Sequence, residues 1–312
     1  LHRASLMMSI NCWNPNHVKR GVRVFGQQVI SGLATGSLYA LTAVAVVVVF
    51  RNTRTINLAQ GDFAMIGAFL AVILIKDFGA NYYLALAGAV IGCIGLGILV
   101  ERLVMRQIAD SDWLTLFTAT LGMYYILHGV AGHLWGRDTK AFPITFDPTP
   151  IEIIGGIISQ GHLVNMAWAA GIGLVLFVFF KFTKQGIAMR AVTDDPETAK
   201  LMGIPVRFIV LLTWGMAGFL AAFAGVLIAP IIYVAPEMMD EVLVKGYVAA
   251  VFGGLYSIPG AILGALMIGV VENLAGGYLG SHFKTATAFA MIVLLLAFRP
   301  QGLFGIQKRR EV

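Results

Sequence analysis

Apolar residues run along this chain in long unbroken stretches separated by short polar interruptions. The stretches 33–50 and 171–180, with their flanks, approach the ~20 apolar residues that cross a bilayer. They are continuous rather than alternating, so they predict helices and not the strands of a membrane barrel. Lipid leaves only these two choices, because nothing in it satisfies an open backbone. The polar breaks divide the chain into spans near 27–50, 56–75, 82–104, 113–134, 162–182, 207–229, 242–256, 259–274 and 285–298. The expected fold is an all-α polytopic membrane bundle of about eight or nine transmembrane helices, some of them short or broken.

Two of these segments, 242–256 and 259–274, are short and joined by "GGLYSIPG", which is rich in helix breakers. Interrupted segments of this kind often line the path of a transporter near mid-membrane. Two tilted or re-entrant helices with only a packing role are the other reading.

Composition agrees. The 312 residues are 58% hydrophobic and 12% charged, against about 25% charged in a soluble domain, and the mean hydropathy is +0.83. The net charge of +6 does not point to nucleic acid, because the basic residues stand beside span ends, as the positive-inside bias requires. With the C-terminus inside, nine basic residues from Arg51 to Arg207, together with Arg299, Lys308, Arg309 and Arg310, lie inside. Lys76, Arg137, Lys140 and Lys284 lie outside, so the count is thirteen against four.

An odd span number leaves Arg3, Lys19, Arg20 and Arg23 outside, on an N-terminal extension (1–26) that suits an interfacial helix. That extension lacks the clean apolar core of a cleaved signal peptide. A permease domain (27–306) and a basic cytoplasmic tail (307–312) complete the division. Cys12 and Cys93 are the two cysteines; Cys93 lies in an apolar run, so no disulfide framework is expected.

Small residues four apart, at Gly32/Gly36, Gly88/Gly92 and Gly260/Gly264, predict close helix packing and little about function. The longest outer loop, 135–161, carries three prolines and reads either as a docking surface for an external partner or as a lid over the outer mouth.

The polar stretch "MRAVTDDPETAKLMGI" (189–204) interrupts the apolar pattern most strongly. Asp195 is a natural N-cap, Pro196 fits the first helical position and Glu197 favours the positive end of the helix dipole. Gly203 suits the position just past the end, and Pro205 forbids continuation. The prediction is a two-turn helix of ~10 Å on the cytoplasmic side. Arg190, Asp195, Glu197 and Lys200 offer ionic contacts, and Leu201, Met202 and Ile204 an apolar side. It is either a rigid knob that another protein grips or an ordinary solvated loop.

"GIAMRAVTDDPETAKLMGIPV", continuing into "GMAGFLAAFAGVL", resembles the coupling segment of the branched-chain amino acid permease family of ABC importers. "GLATGSLYALTAVAVVVVF", "INLAQGDFAMIGAFLA", "ERLVMR", "FGGLYSIPGAILGALMIGVVE" and "FRPQGLFG" agree in order, from about Gln27 to Gly305. The likeness is closer to the LivH-type than to the LivM-type member of the permease pair. The family's Asn-Phe-Ala-His-Gly-Glu pattern is here Asn57-Leu58-Ala59-Gln60-Gly61-Asp62.

The resemblance implies a transport subunit for leucine, isoleucine, valine or related small amino acids, in a bacterial inner membrane. It implies four partners: a second, LivM-like permease, two cytoplasmic ATP-binding subunits and an extracytoplasmic substrate-binding protein. The knob formed by Arg190, Asp195, Pro196, Glu197, Lys200, Leu201, Met202 and Gly203 is then where an ATPase pushes. The chain contains no G-x-x-x-x-G-K-[ST] phosphate loop, so any ATP site is on a partner, and its six histidines show no H-E-x-x-H spacing, so no metal site is expected; the reading is non-enzymatic, with no cofactor. The alternatives are a permease for urea or short amides, and an ion-coupled secondary transporter or channel.

Intramembrane polar residues are functional candidates. Asn57 and Gln60, three apart, share a face near the inner end of the second span; Asp62 points elsewhere and has Arg51, Arg54 or a neighbouring helix as partners. This group reads as an inner gate or as packing hydrogen bonds. Glu272 ends the eighth span as an outer-gate acid or as the partner of Lys245 or Lys284. Lys245 has a stem long enough to snorkel outward. His128 reads as packing or proton relay, and the aromatics as interface belt.

Overall fold

A computed structural model describes residues 15–143, 150–153, 156–299 and 302–304. Expectations for Cys12, the tail 307–312 and residues 144–149 and 154–155 of the 135–161 loop fall outside the described residues.

The described residues form helices with one small hairpin. In order these are α1 (Pro15–Thr53), α2 (Gln60–Lys76), α3 (Tyr82–Leu103) and α4 (Trp113–Trp135), the strands β1 (Pro150–Ile153) and β2 (Gly156–Ser159), then α5 (Gln160–Phe182), α6 (Lys184–Asp194), α7 (Pro196–Leu201), α8 (Val206–Ile232), α9 (Asp240–Gly253), α10 (Ile258–Tyr278) and α11 (Phe283–Phe298). The strands pair antiparallel, Pro150 opposite Ser159. Helix α1 starts at Pro15, so the division drawn at 26/27 falls inside a helix.

Among the described residues six helices are long and apolar enough to cross a membrane: Phe25–Thr53, Tyr82–Ile108, Trp113–Trp135, Gln160–Phe182, Val206–Ile232 and Ile258–Tyr278. α11 is shorter, with 16 residues. The span expected at 259–274 is longer than the sequence suggests: α10 continues to Tyr278. Glu272 and Asn273 therefore lie within the helix rather than at its end.

The two remaining crossings are broken. α1 ends at Thr53, with Arg54 at φ 53° in the left-handed region. Residues 54–57 have no regular secondary structure, and α2 starts only at Gln60. It starts deep in the bundle. Gln60 Nε2 donates to the carbonyl of Ala217 (3.0 Å), eleven residues into α8. Open backbone at this depth must be satisfied by protein, and it is: Thr120 Oγ1 of α4 donates to Ile56 O (2.8 Å), and Tyr247 of α9 donates to Asn57 O (2.6 Å).

The second break comes from the opposite face. α8 ends at Tyr233 (φ 66°), Val234 pairs with Lys140 in an isolated bridge, and a 3-10 turn at Pro236–Met239 leads into the 14-residue α9. The far end of α9 is closed by residues 302–304, where Leu303 and Phe304 amides donate to the carbonyls of Phe252 (2.9 Å) and Gly253 (3.1 Å).

Close packing follows the small residues, with one difference from expectation. A Cβ on Gly32 or Gly36 would collide with the backbone of α10 near Val270 and Leu266, and one on Gly260 or Gly264 with α9. Gly88 and Gly92 instead receive the side chains of Leu74 and Leu70. The tightest seam lies around α8, where Gly218 stands against the carbonyl of Cys93 on α3 and Gly225 against that of Ala64 on α2. These helices have no water-driven reason to associate, so backbone approach is what holds them.

Candidate functional site

The N-termini of α2 and α9 meet inside the bundle. A Cβ on Gly61 would find Leu243 and Met239 within 3.2–3.4 Å. Neither helix has a side-chain N-cap, so both point positive ends at this junction. Acids answer them: Asp62 in the first turn of α2, and Asp240 and Glu241 in the first turn of α9, preceded by Glu237. The level is fixed by α4. Tyr124, eleven residues from either end of that helix, donates to Asp240 Oδ1 at 3.5 Å.

Asp62 is 3% exposed. Its Oδ1 lies 3.4 Å from His128 Nδ1, and His128 Nε2 lies 4.0 Å from Glu237 Oε1. Asp62 Oδ2 and His128 Nδ1 are buried without a hydrogen bond. Glu237, Asp240 and Glu241 are exposed along one side of the α9 entry. Charge exposed at the level of a helix midpoint is costly in lipid, so that side faces water or another polypeptide. Among the described residues no three His, Cys, Asp or Glu side chains converge as metal ligands.

A second polar cluster is closed. Lys245 Nζ lies 2.6 Å from Glu272 Oε1 on α10 and 2.6 Å from Glu241 Oε1, and donates to Tyr39 Oη on α1 at 3.2 Å. Lys245 and Glu272 are both buried.

The third feature is α6–α7, on the face opposite the hairpin. Asp195 accepts from Glu197 N (3.0 Å) and Thr198 N (3.3 Å), and its other oxygen accepts from Thr198 Oγ1 (2.5 Å). Pro196 is the first helical residue. Gly203, at φ 81°, closes the helix, with Ile204 N donating to Ala199 O at 3.0 Å. Ala199 faces inward, while Leu201 and Met202 are 87% and 79% exposed. Thr193 Oγ1 donates to Asn52 Oδ1 (3.3 Å), tying α6 to the end of α1.

Comparison with known proteins places this geometry. Residues 28–298 match the family described as "Branched-chain amino acid transport system / permease component". The chain belongs to the branched-chain amino acid transport permease family. It is 31% identical over 294 residues to the high-affinity branched-chain amino acid transport system permease protein LivH of Salmonella typhimurium, covering 90% of this chain and 96% of that one. BraD of Pseudomonas aeruginosa, another high-affinity branched-chain amino acid permease protein, is 30% identical, covering 89% and 95%. The fructose import permease protein FrcC of Rhizobium meliloti is 28% identical, covering 74% and 68%. No solved structure matches the chain.

The permease is thus a multi-pass membrane transport component, and its polar residues fall into distinct groups. Asn57 and Gln60 are joined by Asn57 Nδ2 donating to Gln60 Oε1 (3.0 Å), but not as neighbours on one helix face, since Asn57 lies in the non-helical segment before α2. Both are 1% exposed, and they hold the break open. Asp62 pairs with His128, not with Arg51 or Arg54. Nor does it stand at an inner helix end, because α2 begins at depth.

Lys245 does not snorkel; Glu272, Glu241 and Tyr39 hold it inside. The 189–204 stretch carries two helices, and α6 was not anticipated. Tyr124, one of the aromatics expected in a belt or in packing, instead meets Asp240, and Glu237, Asp240 and Glu241 are site residues outside the sequence-based candidates, although "PEMMDEV" (236–242) places three acids between two apolar runs. That is a readable sign of charge.

Proposed function

We propose that this chain is the LivH-like permease subunit of an ABC importer for branched-chain amino acids. In this reading it pairs with a second, LivM-like permease, two cytoplasmic ATP-binding subunits and an extracytoplasmic binding protein. The C-terminus, the end of α3 and α6–α7 face the cytoplasm of a bacterial inner membrane, which agrees with their basic residues.

The observation that carries the coupling role is α7. It is a six-residue helix, capped at both ends and standing between two spans, with Leu201 and Met202 held out into solvent. An isolated helix of this length does not persist; this one is held by its caps and by Ala199, and so presents a rigid apolar tip. Arg190, Asp195, Glu197 and Lys200 ring it with charge and fix the orientation of a docked ATPase. Pro196 and Gly203 set where the helix starts and stops.

The path runs past the meeting point of α2 and α9, where Asp62 stands. Asn57 and Gln60 keep the entrance of α2 unwound, and Glu272 fixes α9 through Lys245. An apolar bundle with a few polar groups at one level suits a small amino acid with an aliphatic side chain. The LivH and BraD relatives support that substrate class.

The test is ATP-driven leucine uptake in vesicles holding the reconstituted importer. Pro196→Gly with Glu197→Lys, or deletion of 195–203, abolishes uptake while the chain still inserts. Unimpaired uptake by these variants defeats the coupling role. The Asp62–His128 pair is the feature that favours an ion-coupled carrier instead. That reading requires gradient-driven uptake by this chain alone, which the same vesicles measure.

A further inference from the structure

A cavity of about 300 Å³ opens beside the junction of α2 and α9, lined by His128, Gly129, Gly132, His133, Arg137 and Pro236. Its volume is at the lower end of small-molecule sites. Its two ends carry opposite charge. At the first, His128 stands between Asp62 (3.4 Å) and Glu237 (4.0 Å). Glu237 and Asp240, three residues apart and both exposed, make this end negative.

At the second end, Arg137 folds back across Gly132. A Cβ on Gly132 would lie 3.8 Å from both Cγ and Nε of Arg137. Gly132 is one turn beyond His128, about 6 Å along the axis. A Cβ on Gly129 would find nothing within 4 Å, so the wall between the two ends is bare backbone. Among the described residues no carboxylate lies within ion-pair distance of Arg137.

Carboxylates at one end and a guanidinium at the other, outside ion-pair distance of each other, form an arrangement that neither end neutralises for the other. Arg137 is exposed just past the end of α4, and Glu237 is exposed at the entry to α9, so each is open to the oppositely charged group of a ligand. A ligand carrying a cation and an anion on one carbon satisfies both together; a sugar or a neutral amide satisfies neither.

We propose that this cavity is a transit subsite for the main-chain zwitterion of an α-amino acid. Glu237 receives the ammonium, with Asp62 positioning His128 behind it. Arg137 receives the carboxylate as a two-pronged donor, and the absence of side chains at Gly129 and Gly132 leaves room for the aliphatic group. The inference rests on the amino acid permease reading and deepens it, because it places substrate recognition in the permease as well as in an external binding protein.

The experiment uses the assembled importer in nanodiscs. Cys12→Ser removes one thiol, Cys93 is buried, and Gly132→Cys puts a reporter in the cavity. The rate of modification by a small methanethiosulfonate is read with and without ligand. Leucine slows modification; 4-methylpentanoate, which lacks the ammonium, and 3-methylbutylamine, which lacks the carboxylate, do not. Arg137→Gln and Glu237→Gln each raise the leucine concentration needed by about tenfold or more, the size expected for one charge-assisted hydrogen bond, and Arg137→Lys restores part of it.

Equal protection by the singly charged analogues overturns the proposal. So does an absence of protection by leucine in an importer that still takes leucine up with ATP. Failure of ATP-driven uptake by the unsubstituted importer strikes the permease reading instead.

Discussion

The Lys245–Glu272 pair offers a quantitative test of how the bundle is held. Lys245→Met leaves Glu272 charged, buried and 4% exposed, with one oxygen already lacking a partner. Breaking a buried pair from one side in this way costs about 3–5 kcal/mol. Glu272→Leu is milder, because Lys245 keeps Glu241 at 2.6 Å. That acid is 66% exposed on its side chain, and such a pair contributes only ~0–1 kcal/mol, so the loss is about 2–3 kcal/mol once the residual burial of the ammonium is included.

Replacing both residues removes both desolvation costs, and Glu241 turns to its exposed side. The double variant should lie within about 1 kcal/mol of the natural chain, as apolar replacements of buried pairs do. The cycle then gives a coupling of about 4 kcal/mol or more in magnitude. Unfolding in lipid–detergent micelles titrated with dodecyl sulfate measures all four proteins. A Lys245→Met chain as stable as the original, or a double variant no better than the worse single, refutes the argument that this pair is a closed structural lock.

Three further outcomes follow from local geometry. Asp195→Ala removes the two amide caps of α7 and costs about 1 kcal/mol locally; hydrogen exchange at 196–201 speeds up and uptake falls, while global stability barely changes. Gly218→Leu drives a side chain into the Cys93 carbonyl and yields little monodisperse protein on size exclusion, whereas Gly122→Ala, with nothing within 4 Å of its Cβ, is tolerated. Gly302→Val forces a β-branched residue to φ 80° with its Cβ 2.6 Å from Val251 O; the backbone strain is ~1–3 kcal/mol, and limited proteolysis detects release of the segment that closes α9.

The parts of this fold that were legible in the sequence are those where one local rule dominates. The long spans follow from apolar length, and α7 from Asp195, Pro196, Gly203 and Pro205, each of which acts on its own few residues. The breaks were not legible, because their causes lie far away in the chain. Nothing in "RTINLAQ" states that α2 must wait until Gln60. The reason is that Thr120, Ala217 and Tyr247 supply the hydrogen bonds that make an unwound segment tolerable. Partners for charged groups were legible only in part. Glu272 with Lys245 was one of the named options, since few cations are available at that depth. Asp62 with His128 was not, because spacing along one helix cannot reveal which neighbour crosses it. Glu237, Asp240 and Glu241 are visible as charge in the sequence, but their depth is not, because it depends on where α8 ends and how α9 re-enters the bundle.

The arrangement of the breaks gives a mechanical reason for where the polar residues sit. A displacement of α7 has two stiff routes into the membrane. One is α8, which begins four residues after α7 ends and whose Ala217 carbonyl holds Gln60. The other is α6, whose Thr193 holds Asn52 at the end of α1, immediately before the non-helical segment. Both routes arrive at residues 54–60. A continuous helix there would resist bending along its whole hydrogen-bond ladder; an unwound segment held by a few side chains shifts at far smaller cost. If α7 has the coupling role proposed for it, force applied at Leu201 and Met202 is delivered to the N-terminus of α2, which carries Asp62, and through Asp62 to His128 and the cavity beyond. The switching element is then a two-position break between rigid helices, and its polar groups are concentrated where the helices can move relative to one another.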